Sequence, residues 1–159
     1  MSRSRVTIIS AMSEDRVIGS GQGMPWSVPE EYQHYLETVT GQTVIFGRKS
    51  YEIFGKDLKR TNLIVITRQP SLPGAETATS IEQALRMANS EENETFIAGG
   101  ASIYELAIPT ADRMLLSTIH GEFSGDAHFP DFDRSEWTVE RLEEHERYTL
   151  REWVRSADP

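Results

Sequence analysis

No cysteine occurs in this chain, so disulfide staples and thiolate chemistry are excluded. No apolar run is long enough to cross a bilayer as a helix. The opening MSRSRVTIISAM has one short apolar segment, interrupted by Thr7 and Ser10, and is expected to form a first strand rather than a signal peptide. A cytoplasmic location follows by default. Lysine is scarce, with only Lys49, Lys56 and Lys59 present, and acids exceed bases to give a net charge of −9. That balance argues against nucleic acid or an anionic membrane surface as partner. No metal is expected.

What is present is the composition of a folded protein, 38% hydrophobic and 26% charged over 159 residues. One domain spanning 1–159, acting as a monomer, is expected. The charge is unevenly spread. All the lysines, with Arg48, Arg60 and Arg68, fall between positions 48 and 68, where the only acids are Glu52 and Asp57. Such an island is either chance clustering on a solvated face or a site for an anionic small molecule.

The stretch 15–35 carries the most information. Its glycine-bearing loop, 19–23, imitates a dinucleotide fingerprint, but Met24 stands where the third glycine belongs and Pro25 follows. A mobile lid or an ordinary surface loop fits better. Ser27 followed by Glu30 reads as a capping box, predicting a helix from near Val28. Val28, Tyr32, Tyr35, Leu36 and Val39 then define its buried face, and Glu31 falls on the same stripe. A carboxylate there is either a first-turn acid with its head in solvent, complementing the helix dipole, or the one acid of a dry pocket beside Trp26.

Strands are predicted over 6–12, 42–46, 62–67 and 112–119, with helices over 50–54, stopped by Gly55, and over 80–89, capped by Ser80. Residues 95–104 read as strand, Gly99-Gly100 turn and helix. The segments 137–145 and 148–154 read as a closing hairpin. The strand ends at Gly47-Arg48-Lys49-Ser50, Thr67-Arg68 and Gly99-Gly100 all suit anions. The fold class is therefore α/β, a mainly parallel twisted sheet with helices on both faces and an antiparallel C-terminal hairpin edge. Ligands of such sheets sit at the carboxyl ends of the strands.

Taken in order, Asp15-Arg16-Val17-Ile18-Gly19, Met24-Pro25-Trp26, Glu31, Gly47-Arg48, Gly99-Gly100 with Ile103-Tyr104, and Gly125-Asp126 with Phe129-Pro130 resemble the dihydrofolate reductase family. The resemblance implies NADPH-dependent reduction of 7,8-dihydrofolate, with hydride delivered to C6 and a proton to N5. Carried over by position, it makes Glu31 the ionisable group of the pterin pocket, with Ser117 as partner. Trp26 would order a water, and Met24 would close the lid. Ile9, Tyr35, Phe54, Leu58, Ala98 and Tyr104 resemble the substrate walls, and Arg60 the grip on the glutamate-tail carboxylate. Ala11, Ile18, Gly19 and Tyr104 resemble the nicotinamide surroundings. Gly47, Lys49, Ser50, Gly99, Gly100, Ala101, Ser102 and Ile103 resemble the pyrophosphate cradle. Arg48, Thr67 and Arg68 match the 2′-phosphate site, and Asp126 the residue that supports the lid.

This chain departs from the pattern at Ala98, smaller than usual, at Ser117, which keeps a hydroxyl in place of threonine, and at Thr79, where some members carry a base near the adenosine. Gly21 would loosen the lid. The rival readings are the related pyrimidine reductase of riboflavin synthesis and a non-catalytic NADPH-binding module. The Trp26 and Glu31 pair favours folate over both.

Overall fold

A computed structural model describes residues 4–19, 23–89 and 92–156. Ser20, Gly21 and Gln22 lie outside the described residues, and with them the expectation about Gly21. The strands are β1 (Val6–Ser13), β2 (Val17–Gly19), β3 (Thr43–Gly47), β4 (Asn62–Ile66), β5 (Glu76–Ala78), β6 (Thr95–Ile97), β7 (Arg113–Ile119), β8 (Ala127–His128), β9 (Trp137–Glu144) and β10 (Tyr148–Arg155). The helices are α1 (Pro29–Val39), α2 (Arg48–Phe54), α3 (Ile81–Ala88) and α4 (Ala101–Ala107).

Eight strands form one sheet in the order β5-β4-β3-β6-β1-β7-β10-β9. The pairs from β5 to β7 are parallel, whereas β10 runs antiparallel to both β7 and β9. Alternation explains why both faces are covered. Ile8, Ile45, Ile64, Ile97, Met114 and Leu116 pack against Ile81 and Ala84 of α3 and Ile103 and Ala107 of α4. Their neighbours Ile9, Val44, Phe46, Val65, Phe96 and Leu115 face Val28, Tyr35 and Val39 of the α1 segment and Tyr51 of α2.

Several boundaries differ from the sequence reading, for local reasons. The capping box does not form: Val28 is the N-cap and makes no side-chain cap bond. Pro29 in the first turn lacks an N–H to be capped and fixes its own φ, which starts the helix without a box. Glu30 instead meets the guanidinium of Arg147 from the β9–β10 turn, whose Nε donates to Oε2 at 2.7 Å. A charge-assisted fork outcompetes a single backbone donor. α2 begins at Arg48, directly on leaving β3, and ends at Phe54 with Gly55 as its C-cap, where the sequence placed its stop. The chain continues through a 3-10 turn at Gly55–Asp57, with Gly55 at helical φ −57 and ψ −34. The sequence reading missed β2, β5 and β8, which have too few residues to show an alternating pattern. β2 and β8 pair antiparallel as a small second sheet.

Candidate active site

A cleft of about 600 Å³ opens at the carboxyl ends of β1 and β6. β1 contributes Ile9, Ser10 and Ala11, and β2 contributes Ile18. Met24 leads into α1, which supplies Glu31, Tyr32 and Tyr35. Ser50 and Phe54 come from α2, and Ala98, Gly99, Gly100 and Tyr104 from the turn after β6 and from α4. The cleft continues between α1 and α2 into an outer space of about 830 Å³, lined by Trp26, Ser27, Val28, Pro29, Ile53, Lys56 and Asp57 together with Met24, Glu31, Tyr32 and Phe54.

Among the described residues Glu31 is the only acidic side chain lining the inner cleft, and only 5% of it is exposed. That excludes a first-turn acid with its head in water. Burial disfavours the ionised form and pushes its carboxyl up to about 7, while the Ser117 hydroxyl pulls the other way. Alternation along β7 turns Leu115, Ser117 and Ile119 toward the α1 side of the sheet, which is why Ser117 stands beneath Glu31. Trp26 Nε1 is buried without a hydrogen-bond partner, and its ring meets Phe123 edge-on at 5.5 Å. The Tyr104 hydroxyl donates to the Ile9 carbonyl at 2.8 Å, and its ring packs against Phe129. Burial holds the phenols of Tyr35 and Tyr104 well above their ordinary range.

The three anion-suited strand ends are neighbours, because β3 lies between β4 and β6. Gly47 N–H donates to the Gly99 carbonyl at 2.8 Å, and Gly47 pairs with Ile66 directly before Thr67 and Arg68. Arg48, Lys49 and Arg68 are exposed there, with Arg48 Nε 3.3 Å from Glu52.

A family model described as dihydrofolate reductase matches residues 5–153. The chain belongs to the dihydrofolate reductase family. It is 40% identical to the dihydrofolate reductase of Neisseria gonorrhoeae over 143 residues, 87% of this chain and 88% of the relative. It is 35% identical to that of Bacillus subtilis (strain 168) over 136 residues, 84% of this chain and 80% of the relative. The structure of dihydrofolate reductase from Enterococcus faecalis complexed with NADP(H) and RAB-propyl superposes with a TM-score of 0.88 at 27% identity, covering 98% of this chain and 100% of that one. As a dihydrofolate reductase, the chain is an oxidoreductase that uses NADPH to reduce dihydrofolate.

Within a dihydrofolate reductase, the cofactor needs bare backbone and cations near one another. Gly99 has φ +111, and a β-carbon there would crowd the Tyr104 hydroxyl at 3.3 Å and Ser50 Oγ at 3.4 Å. The turn beside the exposed Arg48, Lys49 and Arg68 is therefore free of side chains, and the donor set fits a phosphate-bearing dinucleotide. Ile103 is buried 3.5 Å from where a β-carbon on Gly47 would stand, and Ala101 and Ser102 begin α4 above the turn. Thr67 Oγ1 accepts from Gln69 N–H at 3.1 Å, and Thr79 bonds the Gln83 amide.

Other sequence-predicted residues stand outside the cleft lining. Leu58 is buried in the core on the α1 side. Arg60 is exposed at φ 51, with its carbonyl accepting from Gly41 N–H at 2.9 Å. The Asp126 side chain is exposed, and its backbone N–H donates to the Gly19 carbonyl at 3.1 Å. Several cleft residues escaped the sequence reading as site residues, Ser10, Tyr32 and Asp57 among them. Ser10 lies inside an otherwise apolar strand, Tyr32 counted only toward a helix face, and Asp57 counted only toward the charge balance. A hydroxyl interrupting a buried strand was the one available signal for Ser10.

Proposed function

We propose that this chain reduces 7,8-dihydrofolate to 5,6,7,8-tetrahydrofolate in the joined cleft, with Glu31 anchoring the pterin. The observation that carries this reading is a single buried carboxyl, held near neutrality in its protonation, in the wall of an apolar cleft beside a glycine turn. A carboxyl there pairs with the amidine edge of a pterin, the 2-amino group and N3, through two hydrogen bonds. Ser117 fixes the carboxyl's orientation from below. NADPH supplies the hydride that arrives at C6.

The remaining roles belong to the chain. Trp26, with its indole N–H lacking a protein acceptor, orders a water beside Glu31, and the proton reaches N5 through water while Glu31 tunes the basicity of the ring. Ile9, Tyr35, Phe54 and Ala98 enclose the pterin and the ring that follows it. Leu58 backs that wall, and Arg60 grips a tail carboxylate from the rim. Ala11, Ile18, Gly19 and Tyr104 surround the nicotinamide, and Met24 closes over it, supported through Asp126. Lys49, Ser50 and the segment from Gly99 to Ile103, with Gly47, hold the pyrophosphate. Arg48, Thr67 and Arg68 bind the 2′-phosphate and select NADPH over NADH.

A single domain acting as a cytoplasmic monomer is the proposed form. Among the described residues the exposed large apolar side chains, Met87, Leu106, Val139 and Leu142, line neither the inner nor the outer cleft. Loss of NADPH absorbance that requires dihydrofolate tests the function. Equal oxidation without dihydrofolate would sink it, and light scattering on a sizing column tests the monomer.

A further inference from the structure

The basic segment 48–68 holds only two acids, and the structure uses them differently. Glu52 meets Arg48 one helical turn away, as surface charges commonly do. Asp57 makes no ion pair among the described residues, although Lys56, Lys59 and Arg60 are its near neighbours in the chain. Its Oδ2 instead accepts a hydrogen bond from the Tyr32 hydroxyl at 2.6 Å. Tyr32 belongs to α1 and Asp57 to the 3-10 turn after α2, so the bond joins the two walls of the outer cleft, and both residues line it. The Tyr32 ring is also braced, tilted against Phe54 at 6.2 Å and against Tyr35 at 5.8 Å. A charge that is tied back by a neighbouring wall stays where it is instead of swinging into water.

We propose that Asp57, held at the outer cleft by Tyr32, is a specificity-determining residue that weakens the binding of ligands with anionic tails relative to ligands without them. The inference rests on the proposed placement of the pterin at Glu31, because only then does the substrate's carboxylate-bearing tail leave through the outer cleft. A carboxylate there repels the tail and offsets part of the attraction from Lys56 and Arg60. It also accepts hydrogen bonds, and so leaves tail-less or donor-bearing ligands unpenalised. Because the cleft opens to solvent, added salt weakens the repulsion.

The test compares dihydrofolate with a tail-less 7,8-dihydropterin, by equilibrium binding and by kcat/KM, in the wild type, Asp57→Asn and Tyr32→Phe. Asp57→Asn keeps an acceptor for the Tyr32 hydroxyl and removes the charge. It is expected to raise the preference for dihydrofolate over the tail-less pterin by roughly threefold or more at low salt, with the gain shrinking as salt is added. Tyr32→Phe keeps the charge but frees it, and is expected to produce part of the same gain. An unchanged ratio in Asp57→Asn would overturn the inference while leaving the function intact. If the tail-less pterin failed to bind the wild type at all, the placement of the pterin would fall, and the inference with it.

Discussion

A β-carbon on Gly125 would overlap the carbonyl oxygen of Gly19 and stand 2.6 Å from Val17 Cγ1. The same Gly19 carbonyl accepts the Asp126 N–H, so the loop before β8 is pressed directly onto β2. Gly125→Ala must therefore push β2 away, at about 1–3 kcal/mol for an overpacked contact. A lowered Tm and a raised KM for NADPH are expected. Gly23→Ala, whose β-carbon meets nothing within 4 Å, is expected to leave Tm unchanged. Equal Tm values for the two variants would refute the contact.

Glu31 ties stability to pH in a definite direction. Its carboxyl lies at about 7 in the folded protein against 4.5 ordinarily, so between those values the folded state keeps a proton that the unfolded chain has lost. The resulting stability is fully present below about 4.5 and is lost as pH rises through about 7. Glu31→Gln removes this dependence. Urea unfolding without ligand is expected to show the variant gaining on the wild type, by on the order of 3 kcal/mol between acid and alkaline pH. Parallel stability curves would mean that the carboxyl is not perturbed.

The same substitution separates binding from turnover. Glu31→Gln is expected to cut turnover severely near neutral pH while NADPH affinity, measured by fluorescence titration, stays nearly unchanged. In the wild type kcat/KM should fall as pH rises through about 7, where the acid form of Glu31 disappears, and the variant should lack that step. Undiminished turnover would remove Glu31 from the mechanism.

Ser117 lowers the Glu31 carboxyl through its hydroxyl. Removing one such hydrogen bond, worth about 1 kcal/mol, moves a titration by somewhat under one pH unit. Ser117→Ala is thus expected to shift the pH profile of kcat/KM upward, and Ser117→Thr to restore it. A profile that stays in place, or moves downward, would contradict the pairing.

Arg48 and Arg68 are exposed beside paired strand ends. Replacing both with alanine is expected to narrow the preference for NADPH over NADH, chiefly through the KM for NADPH. The ratio of kcat/KM values for the two cofactors decides it, and a ratio equal to that of the wild type would place the 2′-phosphate elsewhere.

The buried strands were legible in the sequence because both sheet faces are covered: runs such as those at 6–12 and 62–67 are mostly apolar on both faces, and a central strand fits them at that length. Ser80 announced α3 because its side chain accepts from Gln83 N–H, a bond between chain neighbours. The Ser27 and Glu30 pattern misled for the opposite reason. Arg147 is remote in sequence, and no local rule reveals that its guanidinium takes Glu30 away. The strands of the second sheet were invisible because so few residues carry no periodicity.

By itself, then, the order of residues determined the longer strands, the glycine turn, the basic island and Glu31's place on an apolar helix stripe, since each depends on neighbours a few positions apart. Only the tertiary structure decided that Glu31 is buried rather than solvated, that Ser117 lies beneath it, and that Asp57 answers to Tyr32 rather than to the adjacent lysines. Burial and pairing of charge are set by which distant segments meet, and that is a property of the packed sheet and its helices.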